Sequence, residues 1–263
     1  MLKLNGKKVK LEKFLDGTLH LRQGPPVIPG KVTIDWRYEN DGELFALYSL
    51  TRHLQKFGCE VNLFMPYIPN ARMDRVEDGE SVFTLKYFAE CINALTFHRI
   101  TVLDPHSPVS EALIDNIEVL SPSNYIQETI SKIGSGNLMI FYPDAGAMKR
   151  YSNTSRLPYA FGDKNRDWKT GKFLGFKIIG DQTLISGKDV LIIDDICSKG
   201  DTVLHTAEAL KACGANDIYF FVTHCENTIL RNKVLTSDLI KKIYTTDSIF
   251  NGVHEKIEAF RLS

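Results

Sequence analysis

Val190 to Thr202 reads VLIIDDICSKGDT. Its first four residues, Val190 to Ile193, are an unbroken apolar run, the pattern of a strand buried on both faces. Two carboxylates, Asp194 and Asp195, fall where that strand is expected to end. A small polar loop follows, Cys197-Ser198-Lys199-Gly200-Asp201-Thr202. Val203 to Cys213 then has helical spacing, with Leu204, Ala207, Leu210 and Lys211 in phase and Gly214 as its stop. A loop joining a strand's carboxyl end to a helix's amino end is where open α/β sheets bind ligands. The free N–H groups of the helix start attract anions, phosphate above all. The acidic pair repels phosphate but accepts hydrogen bonds from sugar hydroxyls, directly or through a hydrated metal ion. An ordinary βα turn with solvated acids has the same outline, so function must rest on other segments as well.

Outward from this stretch, strand and helix patterns alternate. Short strands are expected at 7–10, 18–21 and 32–35, broken by Gly17, Pro25-Pro26 and Pro29-Gly30. Gly42 to Phe57 is helical, with Leu44, Leu47, Tyr48, Leu50 and Leu54 in phase. A strand at 61–65, a helix at 82–95 and a strand at 100–103 follow. The second half reads as a helix at 123–133, a strand at 138–142, a helix at 149–156 and a strand at 158–161. A charged loop or hairpin at 162–175 leads to strands at 176–179, 190–193, 218–223 and 240–245. The alternation predicts an α/β protein of two tandem domains, 1–122 and 123–263, each a mostly parallel sheet flanked by helices.

The 263 residues carry 32 Lys+Arg against 32 Asp+Glu, a formal net charge of zero. That balance gives no general reason to bind nucleic acid. No apolar run approaches the roughly 18 residues of a membrane span, and the start, MLKLNGKKVKLEKF, lacks a secretory signal's apolar core. The five cysteines form no CxxC pair, which fits a reducing cytoplasm better than a disulfide framework or zinc knuckle. Cys197 reads as a small loop residue, since no partner base is evident.

Several other strand-end loops carry chemistry-bearing residues. Pro66 to Arg75 is PYIPNARMDR, followed by Gly79-Glu80; then come Asp104-Pro105-His106-Ser107, Pro143-Asp144-Ala145-Gly146 with Lys149-Arg150, and Asp163-Lys164-Asn165-Arg166. Thr223-His224 and Thr245-Thr246-Asp247 complete the series. Alone, His106 would read as a satisfied polar residue, and Lys164 with Arg166 as a solvated charge run. Taken in this order, the segments resemble the motifs of the ribose-phosphate pyrophosphokinases, the phosphoribosyl pyrophosphate (PRPP) synthetases, and span most of the chain. The resemblance implies two type I phosphoribosyltransferase-like domains. It also implies transfer of the β,γ-diphosphoryl group of ATP to the anomeric hydroxyl of ribose 5-phosphate, with Mg²⁺ as cofactor.

By the same resemblance, Lys164 and Arg166 are catalytic. Phe14, Asp16, Arg72, Asp74, Arg75 and His106 bind ATP. Asp194, Asp195, Ser198, Lys199, Gly200, Asp201 and Thr202 bind the ribose phosphate, and His106 and Asp144 hold the metal. A homo-oligomer, at least a dimer, is implied because a neighbouring subunit completes the family's adenine site; neither nucleic acid nor membrane is an expected partner. The chain departs from the pattern at Thr18, where the family has Glu, at Met73, where it has Gln, and at Asp201, where the phosphate loop has glycine. A carboxylate at 201 opposes a dianionic terminal phosphate unless it points away or pairs with Lys199. A phage-encoded branch of the superfamily makes ADP-ribose pyrophosphate from ADP-ribose and ATP, for NAD⁺ rebuilding, and a rewritten acceptor loop resembles that branch. A phosphoribosyltransferase and a non-catalytic regulatory relative are the competing classes. The ATP-gripping motifs speak against the first, and the joint presence of His106, Asp144, Lys164 and Arg166 speaks against the second.

Overall fold

The computed structural model describes residues 1–22, 29–76, 79–134, 136–166 and 173–262, the stretch 164–176 without side chains. The Pro25-Pro26 turn and the middle of the 162–175 segment lie outside the described residues. Two compact units make up the chain, Met1–Ser121 and Pro122–Ser263.

The first unit runs β1 (Leu2–Leu4), β2 (Lys7–Lys8), β3 (Lys10–Lys13), β4 (Leu19–Arg22), β5 (Lys31–Trp36), α1 (Gly42–Lys56), β6 (Glu60–Phe64), α2 (Thr84–Asn93), β7 (Arg99–Leu103), α3 (Val109–Leu113) and β8 (Ile117–Leu120). Its main sheet has the order β2-β1-β5-β6-β7-β8, parallel from β5 onward, while β3 and β4 form a separate hairpin. Because the order from β5 to β8 never reverses, right-handed crossovers put the connecting helices on one face. The core follows: Ala46, Leu47, Leu50 and Leu54 of α1 and Leu85, Phe88, Ala89 and Ile92 of α2 pack against Ile34, Trp36, Val61, Leu63, Ile100 and Val102, strand residues of a single parity. Each fully buried Leu contributes about 1.5–3 kcal/mol over exposure. The other parity bears Lys3, Asp35, Asn62 and Thr101 beside Phe64 and the buried Leu103.

The second unit runs α4 (Ser123–Ile133), β9 (Leu138–Tyr142), α5 (Ala145–Tyr151), β10 (Tyr159–Arg166), β11 (Phe173–Ile179), β12 (Asp189–Cys197), α6 (Asp201–Ala212), β13 (Ile218–Cys225), β14 (Lys242–Thr246) and β15 (Ile257–Phe260). The sheet order is β11-β10-β9-β12-β13-β14-β15, parallel except for the β10–β11 hairpin. Here the chain steps one way from β9 to β10 and the other way from β12 to β13. Helices therefore cover both faces: α6 packs on Val190, Ile192, Phe220 and Val222, and α4 and α5 on Leu191, Ile193, Ile140 and Phe221. The reversal creates a topological switch point between β9 and β12, and a crevice at their carboxyl ends.

Three expected boundaries move. The β12 strand does not stop at Ile193 but runs through the acidic pair to Cys197, because parallel pairing with β13 continues to Cys225. α5 starts at Ala145 rather than 149, since Asp144 is its N-cap and accepts a hydrogen bond from the Ala147 N–H at 2.9 Å. The 162–175 segment contributes arms to the β10–β11 hairpin.

Candidate functional site

In the second unit the switch point gathers Asp144, which follows β9, and the Asp194–Thr202 segment at the end of β12. Side chains alternate along a strand, so adjacent acids leave on opposite faces. Asp195 follows Leu191 and Ile193 toward α5, where Arg150 Nη1 stands 3.1 Å from its Oδ2. Asp194 continues the row of Val190 and Ile192, and its Oδ1 accepts the Asp195 N–H at 3.0 Å. The pair expected to act together on sugar hydroxyls is thus divided: Asp195 is buried against a guanidinium, and Asp194 is half-buried on the α6 side.

The loop turns at Gly200, whose φ of +93° is left-handed, and α6 begins at Asp201. A Cβ on Gly200 would meet Val234 Cγ1 at 3.0 Å. Asp201 does not pair with Lys199; its Oδ1 accepts from Asn232 Nδ2 at 3.0 Å. Ser198 Oγ donates to Glu226 Oε1 at 2.8 Å, and Thr228 Oγ1 donates to the Ser198 carbonyl at 3.0 Å. The loop is therefore strapped to residues 226–234, none of which stood out in the sequence as a site. Lys199 and Thr202 are exposed at its tip. The buried Cys197 thiol is pushed well up by its hydrogen bond with the Cys225 thiol and by burial, which favours the protonated thiol over the nucleophilic thiolate. Beneath the strand ends, His224 Nδ1 lies 2.8 Å from Ser248 Oγ in a buried polar layer with Thr223 and Thr246. The backbone of Lys164 and Arg166 belongs to β10, opposite Phe176 and Phe173, with a register shift between Asn165 and Arg166; their side chains are outside the described set.

In the first unit, the Pro66–Arg75 loop and the Asp104–Ser107 loop leave the adjacent strands β6 and β7 at the same sheet edge. The Leu103 N–H donates to the Pro66 carbonyl at 3.0 Å, holding the two together. Arg72 and Arg75 are exposed, and Asp74 and His106 are half-buried. Asp104 is buried with φ +44°, an uncommon backbone for a non-glycine residue, at the exit of β7. Positive φ cannot be seen in a sequence, and Asp104 was quoted there only as part of a motif. On the β3–β4 hairpin Phe14 is 54% exposed. Asp16 is used by its own turn, accepting from the Thr18 N–H at 2.9 Å and the Thr18 hydroxyl at 2.7 Å, which lowers its carboxyl below the usual range.

No group of three or more His, Cys, Asp or Glu among the described residues is arranged to hold a metal ion by itself. Asp144 and His106 would offer one hard oxygen and one imidazole. The Asp144 oxygen, in the second unit, suits a Mg²⁺ that keeps waters and takes most ligands from substrate phosphates; the His106 imidazole, in the first unit, suits an outer contact with such an ion. No helix among the described residues is long and apolar enough to cross a membrane.

Comparison with known proteins agrees with this layout. A phosphoribosyl transferase domain model matches residues 154–258. A ribose-phosphate pyrophosphokinase of Methanosarcina acetivorans is 29% identical over 91% of this chain and 83% of its own length. That of Caldanaerobacter subterraneus subsp. tengcongensis is 27% identical over 95% of this chain and 80% of its own. The crystal structure of phosphoribosylpyrophosphate synthetase from Mycobacterium smegmatis superposes with a TM-score of 0.80 at 17% identity, over 97% of this chain and 86% of that one, a likeness of fold. The chain thus has type I phosphoribosyltransferase-like units and, along nearly its whole length, is similar to enzymes described as ribose-phosphate pyrophosphokinases.

Proposed function

We propose that this chain moves the β,γ-diphosphoryl group of ATP to the anomeric hydroxyl of ribose 5-phosphate, giving PRPP and AMP. The observation that carries the reading is the acidic pair and left-handed phosphate-type loop at the β9/β12 switch point. The anomeric oxygen attacks the β-phosphorus, the bond from that phosphorus to the α–β bridging oxygen breaks, and AMP leaves with that oxygen. Catalysis of this kind is positioning plus charge neutralisation. Arg72 and Arg75 grip the triphosphate, with Asp74 steadying their loop. Lys164 and Arg166 neutralise charge at the transferring group. Asp194 accepts from the ribose hydroxyls while Arg150 holds Asp195 in place behind it. The α6 start and the Ser198–Thr202 loop receive the acceptor's phosphate. Asp144 would be a carboxylate ligand for Mg²⁺ and His106 an imidazole contact, and the ion would supply charge neutralisation at the phosphate oxygens. A cytoplasmic location, and a homo-oligomer of at least two subunits, go with this reading.

A second reading is favoured by the loop's own hydrogen bonds. Glu226 occupies the Ser198 hydroxyl, and Asp201 sits in the first turn of α6, so two carboxylates stand at a loop whose own stretch, Ser198–Thr202, carries one cation, Lys199. That balance disfavours a dianionic monoester and suits a diphosphate diester, whose first phosphate carries less charge. The acceptor would then be ADP-ribose and the product ADP-ribose pyrophosphate. The test offers each acceptor separately to the purified chain with Mg²⁺ and ATP, follows AMP release, and weighs the product. AMP with PRPP from ribose 5-phosphate supports the first reading. AMP only with ADP-ribose, and a product heavier by one diphosphoryl group, replaces it with the second. No AMP with either overturns both in favour of a non-catalytic relative.

A further inference from the structure

The β3–β4 hairpin has two chemically distinct faces. Leu19 and Leu21 pack against the core of the first unit. Their neighbours on β4, His20 and Arg22, point away, opposite Glu12 and Lys10 in the register. Phe14 continues the outward row of Lys10 and Glu12 and closes the tip, its N–H donating to the Thr18 carbonyl at 2.9 Å.

On that outward face the Phe14 and His20 rings are stacked, with centroids 4.4 Å apart and planes at 19°. The imidazole is itself bracketed. Arg22 Nε donates to His20 Nε2 at 3.3 Å, and Glu12 Oε2 stands 3.8 Å from His20 Nδ1. One face of the phenyl ring is thus pinned by an imidazole that its own strand neighbours hold, while the residue stays 54% exposed. An exposed Phe without such a neighbour samples several rotamers and must give up that freedom when a base stacks on it.

We propose that His20 is a positioning residue for the nucleotide donor: it fixes the Phe14 ring so that the ring's other face is a ready platform for the purine base. The proposal rests on the reading of Phe14 as part of the ATP site. It assigns base recognition here mainly to stacking, because Asp16 is spent on its own turn and residue 18 is Thr.

The test measures ATP binding by equilibrium dialysis together with steady-state kinetics. Phe14→Ala serves as the reference and must weaken ATP binding. An offset stack is worth a factor of about three to ten, so His20→Ala should raise both the Kd and the KM for ATP by that factor, with kcat within twofold of wild type. His20→Phe, which keeps a ring, should return ATP binding to within twofold; His20→Asn, which keeps a polar group without a ring, should not. If Phe14→Ala weakens binding but His20→Ala leaves it unchanged, or if His20→Asn restores it as well as His20→Phe, the positioning role is refuted. If Phe14→Ala itself leaves ATP binding unchanged, the donor reading of the hairpin fails and the proposal falls with it.

Discussion

Substituting Gly200 by Ala probes how the acceptor loop is held. At φ +93° an L-residue pays for left-handed backbone, about 1–2 kcal/mol. The new methyl would also sit 3.0 Å from Val234 Cγ1 and 3.2 Å from its Cβ, and Val234 is fully buried, so it cannot swing aside. Overpacking of this kind costs about 1–3 kcal/mol. Against these, Ala stiffens the unfolded chain, worth about 0.4–1 kcal/mol in the other direction. The net expectation is a loss of about 2–4 kcal/mol, a drop of at least about 4 °C in the unfolding midpoint for a chain of this size. Urea unfolding followed by far-ultraviolet dichroism measures it, and acceptor KM reports whether the loop has shifted. Adding Val234→Ala should recover the steric part, so the double mutant should show a favourable coupling of about 1 kcal/mol or more. A Gly200→Ala protein within about 0.5 kcal/mol of wild type, with unchanged acceptor KM, would refute the view that the turn is clamped between α6 and residues 226–234.

Three further outcomes are expected. Arg150→Met takes a guanidinium from the buried Asp195 carboxylate and should cost about 1–3 kcal/mol, with Arg150→Lys restoring part of it in the same urea assay. Burial pushes the Tyr142 hydroxyl up to about 12, helped by the nearby Tyr159. The unfolded chain therefore releases that proton first, so stability should fall as pH rises from about 10 to about 12. Tyr142→Phe, which also loses the bond to the Tyr151 carbonyl, should be less stable at neutral pH yet show a shallower alkaline decline. Lys164→Ala should lower turnover by about 10²–10³ if its charge acts in the transition state, and an unchanged rate would remove it from the mechanism.

The parts of the fold legible in the sequence are those with long periodic signals. α1 and α6 show their apolar stripes, and the central strands of the second unit are continuous apolar runs. Short or polar elements were not legible: β8 carries Glu118 with exposed Val119 and Leu120, and α3 is one turn and a half. The end of β12 was misread because hydrophobicity stops at Ile193, whereas the strand persists through backbone pairing that no side chain announces. The capping role of Asp144 was hidden by the small residues after it, which read as loop. At the site, motif residues could be named but not their partners. Glu226, Asn232 and Val234 are tied to the acceptor loop across a sequence gap that only the fold closes, and nothing in their local pattern sets them apart.

That strapping has a consequence for how acceptor choice can change. The strand, the turn, α6 and the segment that grips them lie in one uninterrupted stretch, 189–234, and the hydrogen bonds of Ser198 and Asp201 described above close within it. A recombination that exchanges this block with a relative would carry the loop and its supports together. An exchange breaking between 202 and 226 would separate donors from acceptors and strand Ser198 and Asp201 without their partners. If the loop receives the acceptor as proposed, its geometry and its supports would be exchanged as one cassette.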